Sequence, residues 1–240
     1  MKRVIALSIA AAALTAAGCS EARSENPGPV VDRDFQVGSF DRMELAGAYD
    51  ASVTTGGAPA VHARGNQKAI ENLTVEVKDG ILTIKPKNKM NWGWSSNRGK
   101  VALTVTVPSL RAAELAGSGD IRINRVAGDS FAGSIAGSGN LKVDQVEVGS
   151  LKLEIAGSGN ASAGSGRAKT ADYSIAGSGG IDTKGVQVET ASVSIAGSGG
   201  VDAHASNSAA VSIMGSGDVN LTGGAKCSVS KAGSGNARCS

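Results

Sequence analysis

Leu115-Ala116-Gly117-Ser118-Gly119-Asp120 returns as Ile135-Ala136-Gly137-Ser138-Gly139-Asn140, and again as Ile155-Ala156-Gly157-Ser158-Gly159-Asn160. The Gly-Ser-Gly triplet begins at Gly117, Gly137, Gly157, Gly177, Gly197, Gly215 and Gly233, with successive spacings of 20, 20, 20, 20, 18 and 18. A fixed period of this size marks stacked supersecondary units, none of which can bury its apolar face without its neighbours.

Aligning the copies on the first glycine identifies the interior. Two residues before it stand Leu115, Ile135, Ile155, Ile175, Ile195 and Ile213, with Lys231 in the seventh copy. Four residues after it stand Ile121, Leu141, Ala161, Ile181, Val201, Val219 and Ala237; four before it stand Leu153, Tyr173, Val193, Val211 and Val229. Within a copy the apolar residues alternate, as in Leu151, Leu153 and Ile155, which is the two-residue period of a half-buried strand. Strands that recur in register every coil must pair in parallel with the coils above and below. The fold class is therefore all-β: a parallel β-helix or solenoid with coils of about 20 residues. An aromatic content of 3% beside 34 glycines fits a narrow aliphatic interior.

The glycines mark the corner between strands, where a sharp bend favours positive φ. The next position supports this, because Asp120, Asn140, Asn160, Gly180, Gly200, Asp218 and Asn236 are all turn formers. A second corner is expected after Val146–Val148 and Val186–Val188, and the two 18-residue coils should be shorter on that side. Open solenoid ends need protection against edge pairing. Lys231 in the core column and a Cys227–Cys239 link supply it at the C-terminal end.

Residues 31–114 form an N-terminal β region. There Leu45-Ala46-Gly47-Ala48-Tyr49-Asp50 parallels Leu115–Asp120 and reads as a degenerate first coil, so that the solenoid starts near Phe40. Leu73, Val75 and Val77 alternate up to Asp79-Gly80, a hairpin signal, and Leu82 and Ile84 continue beyond it. Another strand runs from Val101 to Val107 and stops at Pro108. Residues 115–240 are the Gly-Ser-Gly repeat solenoid.

Residues 1–18 read as a signal peptide, with Lys2 and Arg3 before an apolar run and small residues leading to Cys19. Ala16-Ala17-Gly18-Cys19 has the form of a lipobox, with alanine where leucine is usual; the alternative is ordinary cleavage and a soluble periplasmic product. Lipidated Cys19 would anchor the chain in the membrane, and residues 19–30 would be its polar, proline-containing tether. The expected location is the bacterial envelope, as an outer-membrane lipoprotein facing the periplasm or the cell surface. Removing the leader leaves 22 Lys plus Arg against 21 Asp plus Glu, so nucleic-acid binding loses its electrostatic motive. With Cys19 assigned to lipid, Cys227 and Cys239 remain as a disulfide pair for an oxidising compartment. Two cysteines twelve apart with no nearby histidine do not make a zinc set.

Phe40-Asp41, the Asp79-Gly80 hairpin, Thr106-Val107-Pro108-Ser109-Leu110 and the serial Gly-Ser-Gly corners together resemble the putative auto-transporter adhesin, head GIN domain family, over about residues 31–240. The resemblance implies a right-handed β-helix-like fold on a bacterial envelope protein and an adhesive role, and it brings no catalytic motif.

Four kinds of site chemistry lack the residues that they need in this sequence. No glycine cluster completes G-x-G-x-x-G or opens a helical pattern, which argues against a dinucleotide site. Calcium needs more acids than Asp120 and Asp218 in the corner column. A polysaccharide-acting enzyme, the rival function, needs clustered carboxylates or a base on one face, whereas Asp144, Glu154, Asp182 and Asp202 scatter over the repeat as solvated residues. His62 and His204 read as surface residues. No cofactor or metal follows from any of these.

Two features remain as contact candidates. Residues 85–100 hold both tryptophans, Trp92 and Trp94, among basic residues that include Lys87, Lys89 and Arg98. They form either a contact patch or a cover for the solenoid's end. The serine column, Ser118, Ser138, Ser158, Ser178, Ser198, Ser216 and Ser234, serves the turn or presents hydroxyls to a glycan. The expected function is a non-catalytic adhesin or structural surface module whose partner is a glycan or an envelope protein.

Overall fold

A computed structural model describes residues 28–87 and 101–240. Its N-terminal part holds β1 (Val30–Phe35), β2 (Arg42–Gly47), β3 (Asp50–Thr55), β4 (Ala60–Asn66), α1 (Gln67–Glu71), β5 (Leu73–Lys78), β6 (Ile81–Pro86) and β7 (Val101–Val107). The repeat region follows with β8 (Ala112–Gly117), β9 (Asp120–Gly137), β10 (Asn140–Gly157), β11 (Asn160–Gly177), β12 (Gly180–Thr183), β13 (Val186–Gly197), β14 (Gly200–His204), β15 (Ser208–Gly215), β16 (Asp218–Thr222), β17 (Lys226–Ala232) and β18 (Asn236–Cys239). All belong to one sheet wound into a parallel β-solenoid, as the repeat spacing predicts.

The ladder keeps the register of the sequence columns. Leu141 pairs with Ala161, Leu153 with Tyr173 and Ile155 with Ile175, an offset of 20 residues. Later coils pair Ile195 with Ile213 and Val201 with Val219, an offset of 18. The column from Leu115 to Ile213 is no more than 2% exposed at any position.

Each 20-residue coil has three corners rather than two. In β10 the pairing skips Asp144 and Gly149, in addition to the Gly-Ser-Gly bend, which leaves three straight runs. The physical cause is visible in burial: two successive outward residues, Asp144-Gln145 and Gly149-Ser150, replace the single one that alternation requires. In the 18-residue coils Ala203 pairs with Thr183 and Ser208 with Thr190, so four residues stand where the coil before has six. The shortening falls on the side that the sequence indicates.

The first glycine of every triplet has φ between 124° and 139°, where a Cβ is strained. Its carbonyl accepts the N–H groups of the serine and glycine in the next coil, as when Gly117 O receives Ser138 N at 2.9 Å and Gly139 N at 3.1 Å. The second glycine has a different reason. A Cβ on Gly139 would lie 2.0 Å from Gly119 O, and one on Gly159 would lie 2.3 Å from Gly139 O, so it is backbone approach between coils, not φ, that bars a side chain there.

Small and large interior side chains sit side by side within a coil. Ala161, Ala163, Ala168 and Ala171 leave room that Tyr173 fills in the same coil. The buried Tyr173 hydroxyl needs a partner, and Thr183 provides it at 2.9 Å from the coil above. In the coil containing Phe131, Gly133 makes the space: a Cβ there would meet Leu141 Cδ2 at 2.5 Å.

Leu45, Ala46 and Gly47 pair in parallel with Leu115, Ala116 and Gly117, which makes β2–β3 a coil of the same stack. The stack does not begin there, however. β6 and β7 pair in parallel with the other side of β2 and β3, so a coil later in sequence lies outside the earlier one. The Asp79-Gly80 hairpin forms as predicted, with both residues at positive φ, and β5 runs antiparallel to β6. Antiparallel β4 and β1 continue the cover beyond β7. At the other end the Cys227–Cys239 disulfide joins β17 to β18, and Lys231 Nζ donates to Gly235 O.

Candidate functional site

The outward side chains of the rod are the surface on which function must rest. Cys19, Trp92, Trp94, Lys89 and Arg98 lie outside the described residues. Lys87 directly follows β6; its ammonium donates to Glu71 O at 2.6 Å and its N–H to Asn72 O at 2.8 Å. It ties β6 to the α1–β5 junction. The serines of the corner column are exposed, and their N–H groups serve the inter-coil ladder.

The turn-former column beside them is bonded along the stack. Asp120 Oδ1 accepts both the N–H and the Nδ2 of Asn140, at 3.1 and 2.8 Å, and Asn140 Oδ1 accepts from Asn160 Nδ2 at 3.1 Å. Glycine at positions 180 and 200 interrupts this ladder before Asp218 and Asn236 resume it at 3.2 Å.

The four scattered carboxylates are each held by a close neighbour. Asp144 pairs with Arg122 and Lys142, Glu154 with Lys152, and Asp182 with Lys184. Asp202 accepts from Asn220 Nδ2 at 3.2 Å. Glu154 raises the pKa of Lys152 by accepting its hydrogen bond. Among the described residues no three His, Cys, Asp or Glu side chains converge as a metal site.

His62 has partners that sequence reading missed. On the β1–β4 pair its Nδ1 lies 2.8 Å from Asp34 Oδ1 and its Nε2 lies 3.1 Å from Asp32 Oδ1. Both nitrogens donate only in the imidazolium, so hydrogen bonds to Asp34 and Asp32 hold the pKa above 6.5. The alternation of Asp32 and Asp34 was visible in the sequence, but their pairing with β4 was not. His204, in contrast, sits half-buried with its ring over Gly223.

A hollow of about 610 Å³ opens at the corner after the second run of the coils. Its floor is Gly128, Val148, Gly149 and Ala168, and its rim carries Arg125, Asp129, Glu147, Arg167, Lys169 and Glu189. Gly149 contributes no side chain in the column where Asp129, Lys169 and Glu189 project from the other coils, and the depression lies over it. A smaller hollow of about 310 Å³ lies over Gly200, beside Asp202, Asp218 and Arg238. No helix among the described residues is long and apolar enough to cross a membrane.

Solved structures share this architecture. A putative adhesin from Bacteroides fragilis NCTC 9343 superposes with a TM-score of 0.79 at 21% identity, over 88% of this chain and 97% of that one. A putative adhesin from Parabacteroides merdae ATCC 43184 gives 0.71 at 19% identity, over 89% and 97%. A putative lipid binding protein from Parabacteroides distasonis ATCC 8503 gives 0.69 at 24% identity, over 88% and 97%. These likenesses establish the fold. No curated protein matches the sequence. The family model described as putative auto-transporter adhesin, head GIN domain matches residues 39–225, most of the repeat and its N-terminal coils, and the chain belongs to that family.

Proposed function

We propose that this chain is a non-catalytic adhesin or structural surface module of the bacterial envelope, tethered by lipid on Cys19. The observation that carries the reading is the rod itself: coils in unbroken register, with the outward carboxylates of Asp144, Glu154 and Asp202 engaged by neighbouring basic or amide groups. Such a surface is suited to contact along its length. The family's description supports adhesion. Several acyl chains at Cys19 would hold the protein firmly, since each buried methylene contributes about 0.8 kcal/mol. Residues 19–30 then act as a solvated spacer before the β region of 31–114 and the repeats of 115–240.

Two experiments test this. Metabolic labelling with a radioactive fatty acid should mark the native chain and leave Cys19→Ser unlabelled; labelling of neither removes the anchor. Screening the full chain against envelope proteins and immobilised glycans should find a ligand, and turnover of a polysaccharide would refute the non-catalytic reading.

A further inference from the structure

The corner hollow at Val148 gathers six charged side chains around one depression. Only one ion pair closes across its rim, Arg167 to Glu147 at 2.9 Å. The charged atoms of Arg125, Lys169, Asp129 and Glu189 have no ion-pair or hydrogen-bond partner among the described residues. Elsewhere on the rod several acids meet cations of the same or the adjacent coil, as at Arg122–Asp144 and Lys152–Glu154. Here two cations and two anions surround one depression without meeting each other.

Electrostatics and shape narrow what could fill it. The rim of three cations and three acids is neutral overall, so it offers no net attraction to a polyanion or a polycation. It supplies both donors and acceptors, which matches hydroxyl groups, because each donates and accepts. Its 610 Å³ lies within the ordinary range for small-ligand sites, about 300–1,000 Å³. The floor of glycine, Val148 and Ala168 is low enough for a ring to approach the backbone.

We infer that this hollow is a binding site for a neutral oligosaccharide, with Arg125 and Lys169 donating to ring hydroxyls and Asp129 and Glu189 accepting from them. The inference rests on the adhesive reading and gives it a ligand class and a place. Arg167 and Glu147, already paired, fix the wall between the two free pairs.

The test uses the purified full chain on an immobilised glycan array holding neutral, sialylated and uronic oligosaccharides. Titration calorimetry follows with the strongest neutral ligand. Neutral glycans should bind with little dependence on salt, since no counterions are released. Arg125→Ala and Glu189→Gln, both at exposed positions, should each weaken binding about tenfold or more, the loss expected for a hydrogen bond to a charged group. Unchanged circular dichroism would show that they fold, and Lys152→Ala, outside the hollow, should bind as the native chain does. Binding confined to anionic glycans, glycan binding unaffected by both rim variants, or no glycan binding would each overturn the inference. A chain that binds no glycan but does bind an envelope protein sinks this site and leaves adhesion standing; one that binds nothing sinks both.

Discussion

Replacing Gly139 by alanine separates coil stacking from backbone strain. The added Cβ would lie 2.0 Å from Gly119 O, where an ordinary contact needs about 3.4 Å, and 2.7 Å from Leu115 Cδ2. Gly139 is outside the positive-φ region, so its backbone accepts alanine freely and the whole penalty is steric. Relief requires the corner to lift by more than about 1 Å, which also stretches the 3.3 Å bond from Asn140 N to Gly119 O. Overpacking costs about 1–3 kcal/mol and a weakened hydrogen bond about 1 kcal/mol, giving a loss of about 2–4 kcal/mol. Gly128→Ala is the counterpart, since its φ is 134° but a Cβ there meets nothing within 4 Å. It should lose only the left-handed strain of about 1–2 kcal/mol, offset by about 0.4–1 kcal/mol from the stiffer unfolded chain. Gly38→Ala has neither obstacle and should be neutral or slightly stabilising. Urea unfolding followed by circular dichroism ranks the three. Coil arrays can open in parts, so hydrogen exchange across residues 112–157 should show the Gly139→Ala loss centred on its own corner. Gly139→Ala unfolding at the same or higher urea than Gly128→Ala would falsify the stacking argument.

Other consequences can be measured directly. Tyr173→Phe removes the partner of the buried Thr183 hydroxyl and should cost about 1–3 kcal/mol in urea unfolding, part of which Thr183→Val should restore in the double variant. Burial pushes the Tyr173 phenol up to about 12, from 10 when unfolded; its stabilising contribution is complete below pH 10 and lost as pH rises towards 12. Alkaline absorbance titration should show one tyrosine ionising late. His62 should titrate above 6.5 by NMR, and Asp34→Asn should lower that value. The clamp stabilises β1 while His62 is charged and fades as pH rises through the raised pKa, so faster amide exchange in β1 on acidification would contradict it. Replacing Cys227 and Cys239 by serine opens a loop with a sequence separation of 12 and should cost about 3 kcal/mol, read as early exchange of β17 and β18.

Much of this was written in the repeat. A column such as Ile135, Ile155 and Ile175 fixes both strand direction and register, because only parallel stacking at a constant offset keeps it inside. The third corner was legible in principle. Asp144-Gln145 and Gly149-Ser150 break the alternation twice, but single polar pairs look like ordinary strand exposure until pairing partners are known. The position of β6–β7 outside β2–β3 was not legible, since sequence order does not specify order along a stack. The second glycines carried no separate signal either, because positive φ and close backbone approach both select glycine. For the candidate surface, charge type was readable and the 20-residue register sets Glu147 beside Arg167, but the encounter of His62 with Asp34 depends on the antiparallel pairing of β1 with β4. The hollow was hidden because its depth follows from where each coil turns its corners, which the repeat spacing does not specify.

The out-of-order winding at the N-terminal end has an evolutionary corollary. β2–β3 is gripped from both sides, by β6–β7 and by β8–β9, and β1, β4 and β5 close over the outer coil. A duplicated segment inserted there would have to break an interlocked arrangement. From β10 onward each turn rests on the preceding one and carries the next, so gene duplication of a twenty-residue unit can lengthen the tower without disturbing its foundation. The length of the rod is thereby a heritable variable, set by how many such storeys the gene encodes.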